Sequence, residues 1–334
     1  MQPDPAAASL HEIVTHFHLE HGAHTRVGVD ITAMRVRIAQ ADEHRFLRFR
    51  PAGSSTDAKA ATTGKFKFLH LTDTHIQPEL HAVDGCRMCF SHAHKSRADF
   101  ALIGGDLVFD AAEQKHDRAK FLYAMYAETV KRIEMPVYSA LGNHDVFGTS
   151  PASGIDKSDP AYGKKMFEDR IGPRYQSFDH KGIHFVILDS IELTPDGKFS
   201  GGIDADQIAW LKTDLEKTGK AMPVVVTTHV PLVSGAVQIL DAGANWQGLL
   251  VRNARQVLDI LWQSNLKMVL QGHTHIVEKV EYNGCAFITG GAVSGNWWKG
   301  KRLFHPEGYG LIEVADGKLS WSYQTYGFVA DAAV

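Results

Sequence analysis

"LGNHDVFG", residues 141–148, follows the apolar run "VYSA" and sets an amide, an imidazole and a carboxylate in successive positions, Asn143, His144 and Asp145. Gly-Asn is ordinary turn chemistry, and a solvated His-Asp pair after it needs no function. The fold is decided by whether other segments repeat this arrangement, a polar block at the end of a buried strand. From residue 65 onward they do. "KFKFLHL", "FALIGGD", "VYSALGNHD", "HFVILDS", "PVVVTTH" and "KMVLQGH" are short apolar or β-branched runs of the kind a sheet buries on both faces. Helical patterns lie between several of them, as in "EQKHDRAKFLYAMYAETVKRIE" (113–134) and "DADQIAWLKTDLEKTG" (204–219). In the second, Asp204 and Gln207 have capping-box spacing and Gly219 supplies a stop. "CAFITG", "GLIEVADG" and "LSWSYQTYG" predict a closing antiparallel set. The pattern is α/β and layered, with mixed sheets.

The chain is long enough for a large core: 334 residues, 44% hydrophobic and 22% charged, with a formal net charge of -3. Upstream of the alternating region, "VGVDI", "MRVRIAQ" and "HRFLRFR" predict a β-meander, so residues 1–50 read as a small β-rich appendage. Such a piece is too small to fold alone and is expected to pack on the main domain or on another subunit. Residues 51–64, "PAGSSTDAKAATTG", have linker composition, and 65–334 form the main domain.

Without Lys/Arg blocks, neither a nucleic-acid duplex nor an anionic membrane is expected as the main partner. No apolar stretch approaches the roughly 18 residues of a membrane span. No secretory leader is visible, which predicts a cytoplasmic protein, or a periplasmic or secreted one if a leader has been removed. The cysteines, Cys86, Cys89 and Cys285, are odd in number and give no disulfide framework. Cys86-x-x-Cys89 has no second such pair and reads as packing thiols rather than a zinc knuckle.

Histidine, at 19 residues, is the compositional anomaly, and its placement carries the chemistry. Asp73 and His75 follow the first core strand in "LTDTHI", Asp106 the second in "IGGDLV", and Asn143, His144 and Asp145 the third. His229 ends "VVVTTH", and His273 and His275 end "LQGHTHIVE". Each block sits where open α/β sheets bind ligands, at the carboxyl ends of strands. One such block is weak evidence; five in sequence are strong. They suit two adjacent ions, one held by Asp73, His75, Asp106 and His275, the other by Asp106, Asn143, His229 and His273, with Asp106 bridging through its two oxygens. The mixed nitrogen and oxygen set favours two divalent or trivalent transition-metal ions, Mn, Fe, Zn or Co, over Mg or Ca.

These blocks, Asp73-x-His75, Gly105-Asp106, Gly142-Asn143-His144-Asp145, His229 and Gly272-His273-x-His275, resemble the pattern of calcineurin-like metallophosphoesterases over residues 65 to about 325. The resemblance implies a four-layer αββα sandwich and a dinuclear-metal phosphoesterase acting on a small-molecule phosphate ester through a metal-bridging hydroxide. It further implies that His144 is no ligand but a leaving-group acid or phosphate contact, with Asp145 orienting it. "ITGGAVSGNWWKG", residues 288–300, is similar to a loop of a bacterial subgroup of cyclic-nucleotide and glycerophosphodiester hydrolases, in which Asn296, Trp297 and Trp298 would wall the substrate cleft.

Phosphodiesters are favoured, because no Lys/Arg cluster beside the five blocks answers the extra charge of a monoester. A phosphomonoesterase, or a non-catalytic metal-binding scaffold, is the alternative. The oligomeric state is left open, a homo-oligomer included. Two further His-rich stretches are decoys. "HFHLEH", 16–21, has Glu20 where a metallo-β-lactamase-like motif needs Asp, and a helix would turn His92 and His94 to different faces.

Overall fold

The computed structural model describes residues 17–18, 24–30, 35–40, 64–240 and 248–331. The chain divides into two compact units, 1–57 and 58–334. In the first, β1 (Phe17–His18), β2 (His24–Asp30) and β3 (Arg35–Gln40) form an antiparallel sheet, with Val27 opposite Ile38 and Val29 opposite Val36. Two of the expected meander strands are therefore present. "HRFLRFR", residues 51–63 of the expected linker and most of "HFHLEH" lie outside the described residues.

In the second unit, β4 (Phe66–Leu71), α1 (Ala82–His94), β5 (Phe100–Ile103), α2 (His116–Thr129), β6 (Val137–Ser139) and α3 (Lys165–Arg170) come first. There follow β7 (Gln176–His180), β8 (Ile183–Ile187), β9 (Ile191–Leu193), β10 (Phe199–Gly201), α4 (Ala205–Thr218), β11 (Pro223–Thr227), α5 (Val237–Leu240) and α6 (Ala254–Leu261). The chain closes with β12 (Asn265–Gln271), β13 (Val277–Tyr282), β14 (Cys285–Gly290), β15 (Gly308–Ala315) and β16 (Lys318–Thr325).

Two mixed sheets result, one ordered β16-β15-β4-β5-β6 and the other β13-β14-β12-β11-β8-β7, and helices flank them. Their apolar runs are buried on both faces, as their composition required. Phe66, Phe68, Phe185, Ile187 and Val225 pack in one cluster with Phe100, Met268 and Ile288. The alternate residues Leu69, Leu71, Val186, Val224 and Val226 join the cluster that holds Cys86 and Phe90 of α1 and Leu211 and Leu215 of α4. Burying a side chain of this size contributes about 1.5–3 kcal/mol each, so both faces of the two sheets contribute to stability.

Two local expectations are corrected. "CAFITG" does not close an antiparallel set with the last two strands. As β14 it pairs parallel with β12 and antiparallel with β13, in the sheet opposite to β15 and β16. The α4 capping box is half made: Asp204 accepts from the Gln207 amide at 2.9 Å. The Gln207 side chain turns instead to the backbone of Asp189, accepting from its N–H and donating to its carbonyl.

Candidate metal centre

Five strands aim their carboxyl ends at one point. Asp73 and His75 follow β4, Asp106 follows β5, Asn143 follows β6, His229 follows β11, and His273 and His275 follow β12. The loops are stitched together by backbone, Asp73 N–H donating to Gly105 O at 3.0 Å and Gly272 N–H to His229 O at 2.9 Å. Asp73, His75, Asp106, His273 and His275 all have positive φ, between 40° and 71°. Such backbone costs of order 1–3 kcal/mol per residue and persists where the surroundings enforce it, typically at functional sites. Two motif glycines have a steric origin. A Cβ on Gly142 would stand 2.1 Å from Asp106 N and Oδ1, and one on Gly272 would stand 2.1 Å from Thr72 Oγ1.

Two triads of ligand atoms converge, Asp73, His75 and His275, and Asp106, His229 and His273, and His144 with His75 and Asp106 makes a third such group beside them, the atoms of each within 4.8 Å of one another. Asp106 connects them. Its Oδ2 lies 3.5 Å from His75 Nε2 and 3.2 Å from His229 Nε2. Its Oδ1 accepts the His144 N–H at 2.9 Å. One oxygen therefore faces both triads, where bridging through two was expected. Asn143 Oδ1 lies 3.0 Å from His229 Nε2, beside the second group.

The donor set fits metal ions on tautomer grounds. His229 Nδ1 lies 2.8 Å from Gly104 O and His275 Nδ1 lies 2.6 Å from Gly295 O. A carbonyl only accepts, so both Nδ1 atoms carry a hydrogen and the Nε2 atoms are turned inward, the outer-shell arrangement of metal-binding histidine. His75 Nε2 and His275 Nε2 stand 3.1 Å apart, near enough for both to reach one cation.

Charge agrees. Burial, with His229 as a minor cause, pushes His273 down to about 4, and burial pushes His75 well below its usual range, so both are neutral ligands at pH 7. Burial opposes the Asp106 charge, but His229 and His144 outweigh it and hold that carboxyl far below the usual range. His229 is lifted to about 9, since Asp106 overcomes the cost of its burial. The carboxylates thus demand positive charge here, and a metal ion competes for that role with the His229 proton.

His144 stands beside the triads with its ring edge-on to His75, centroids 4.7 Å apart, and it bonds Asp106 only through its backbone. Asp145 does not orient its imidazole. The buried Asp145 carboxylate accepts the N–H groups of Leu107, Val108 and Gly142, tying the second block to the third. Both of its oxygens are thus engaged by backbone, where a contact orienting the His144 imidazole was expected.

The "GNWWKG" loop is also split in role. Trp297 is half-buried, its ring 4.4 Å from that of His275 and 5.8 Å from that of His75, at the rim of the site. Trp298 is 1% exposed; its indole donates to the carbonyls of Thr74 and His75 and packs against Gly85, where a Cβ would lie 2.1 Å away. It is a pillar under the first block and not a cleft wall. Asn296 contributes backbone, its N–H donating to Gly300 O at 2.8 Å. The decoys find ordinary partners: His92 bonds Tyr309 and His94 the Ile133 carbonyl, while Cys86 and Cys89 are buried thiols.

Three features escaped sequence reading. Thr72 Oγ1 donates to Asp73 Oδ2 at 2.5 Å, a contact foreshadowed only by its place beside the block. Phe199 of β10 stands edge-on to His273 at 5.8 Å, in a hairpin with no motif signal. The absence of cations beside the blocks does not hold either: the Arg302 guanidinium lies 5.4 Å from the centre of the Trp297 ring, and Lys299 and Lys301 precede it in sequence.

The sequence profile of calcineurin-like phosphoesterases matches residues 66–277. The chain belongs to the calcineurin-like phosphoesterases. Among curated relatives of this phosphoesterase, a probable cyclic nucleotide phosphodiesterase of Psychrobacter arcticus is 25% identical over 240 residues, 66% of this chain and 77% of the relative. A probable glycerophosphodiester phosphodiesterase of Arcobacter nitrofigilis is 23% identical over 236 residues, 68% of this chain and 78% of the relative. Among solved structures, a dimetal phosphatase from Danio rerio superposes with a TM-score of 0.57 at 15% identity, covering 78% of this phosphoesterase and 96% of that chain, a likeness of fold.

Proposed function

We propose that this phosphoesterase is a dinuclear-metal phosphodiesterase, its ions drawn from Mn, Fe, Zn or Co. The observation that carries the reading is the pair of triads sharing Asp106 Oδ2, with inward Nε2 atoms whose ring partners are fixed on backbone carbonyls. One ion would be held by Asp73, His75, Asp106 and His275, the other by Asp106, Asn143, His229 and His273. When bound, such ions supply positive charge at phosphoryl oxygens and acidify water.

The chain's own groups do the rest. Asp106 Oδ1 fixes the His144 backbone, which leaves the His144 imidazole to donate a proton to the departing alcohol oxygen. Trp297 beside the first triad and Phe199 beside the second form walls on the two flanks of the centre, one for each ester arm of a diester. The names of the curated relatives support the diester as substrate class.

A phosphomonoesterase is the second reading, favoured by the cations Lys299, Lys301 and Arg302, which suit a dianion. Comparing kcat/KM for bis-aryl phosphate and aryl phosphate at matched metal loading separates the two. A monoester preference of about tenfold, 1.4 kcal/mol, reverses the assignment.

A further inference from the structure

We infer that Arg302, with Lys299 and Lys301, forms a subsite for a second anionic group, a carboxylate or phosphate carried on one ester arm of the substrate. The inference rests on the phosphodiester reading and specifies it further: the preferred diester bears a charge beyond its own phosphate.

Arg302 is one indole away from the metal-binding histidines, its guanidinium over Trp297 and Trp297 against His275. Its position is fixed by a tight turn: Arg302 and His305 exchange backbone hydrogen bonds of 2.9 and 2.8 Å around Leu303 and Phe304, both at positive φ. Among the described residues it has no carboxylate partner, whereas Arg118, Arg174, Arg252 and Arg255 each have one. Arg302 Nε is buried and makes no hydrogen bond. Lys299 and Lys301 are exposed and make no close ion pair among the described residues.

Glu307 is the acidic group nearest in sequence. Its carboxyl lies under Gly295 and is 7% exposed; burial raises its pKa, and the cation that acts on it is Lys301. A planar guanidinium held on an aromatic face with its donors unspent matches the two oxygens of a carboxylate or phosphate. An arm lying along Trp297 from the metal centre carries such a group outward to Arg302.

The test uses the metal-loaded full chain and three esters: bis-aryl phosphate, the same diester with a carboxylate on one aryl ring, and aryl phosphate. A hydrogen bond to a charged group contributes about 1.5–3 kcal/mol, or roughly 10- to 150-fold. R302Q is therefore expected to raise KM for the carboxylate diester about tenfold or more beyond its effect on the uncharged diester, with R302K intermediate because it keeps charge without the fork. Wild-type preference for the charged diester should also fall with ionic strength, as exposed charge contacts are screened. Equal KM changes for both diesters in R302Q overturn the inference, because Arg302 then only props Trp297. Turnover of aryl phosphate alone overturns the phosphodiester reading itself, and this inference with it. Melting curves of R302Q and R302K, expected to match wild type, keep folding out of the comparison.

Discussion

Thr72→Val removes one hydroxyl at nearly constant volume and isolates the 2.5 Å hydrogen bond from Thr72 Oγ1 to Asp73 Oδ2, which is fully buried. The introduced methyl takes the place of an oxygen already packed on Gly272, so the site keeps its shape. Asp73 has one other fixed donor, the His273 N–H, which approaches its two oxygens at 3.2 and 3.1 Å. Hydrogen bonds to charged groups contribute about 1.5–3 kcal/mol, so metal affinity at the first triad should fall roughly 10- to 100-fold, the range found when groups orienting metal ligands are removed. The proton competes in the same direction. Burial disfavours the Asp73 carboxylate, yet His275 outweighs it and holds the acid down to about 2. A donor lost from the ionised form lets that value rise, so metal release on acidification should begin at higher pH in the variant. Competition of stripped protein against a chromogenic chelator reads the affinity, and Thr72→Ser, which restores the hydroxyl, should recover most of the loss. Affinity within about twofold of wild type, or a serine variant as weak as the valine one, would refute the idea that this hydroxyl holds Asp73 for the metal.

Asp106→Ala removes the oxygen that faces both triads, so elemental analysis should find one ion or none per chain and turnover should vanish. His144→Ala should keep its metals and lose about 100- to 10,000-fold in rate for poorly acidic alcohols, with a smaller loss for nitrophenolate, and equal losses across leaving groups would indicate positioning instead. Burial opposes protonation of His184, but its bonds to Asp214 and Asp179 at 2.8 and 2.6 Å outweigh this and raise its pKa. Its folded-state pKa exceeds the unfolded value, so its contribution is complete below the unfolded pKa of about 6.5 and is lost as pH rises through the folded value. Melting temperature should therefore fall above neutrality more steeply in wild type than in His184→Gln, and parallel profiles would contradict this.

What the sequence made legible was whatever depends on one strand and its exit. Apolar runs such as "FALI" and "PVVVT" can only be strands buried on both faces, and the block after each lands at the site because parallel neighbours end together. The convergence of Asp73, His75, Asp106, Asn143, His229, His273 and His275 at one end of the strands was readable for that reason. What depends on distant segments meeting was not. The two tryptophans are consecutive, yet Trp298 fills the space over Gly85, which is remote from it in sequence, while Trp297 is left at the rim. Asp145 could not be assigned from adjacency to His144, because its partners Leu107 and Val108 arrive from another strand. "CAFITG" has the same composition whether it closes one sheet or extends the other, and the pairing of β14 with β12 decides it. Arg302 carried no signal in the sequence, since it stands beside none of the five blocks, and the turn that carries it places it over Trp297.

The central claim is that two ions act together through Asp106. The measurement that tests it most directly is turnover of bis-aryl phosphate as chelator-stripped protein is titrated with Mn, Co or Zn, with bound metal counted in the same samples by elemental analysis. The account predicts that activity rises with the second equivalent and saturates at two ions per chain, and that Asp106→Ala neither binds the second ion nor turns over. Full activity at one equivalent, or in protein that keeps no metal in excess chelator, would contradict it.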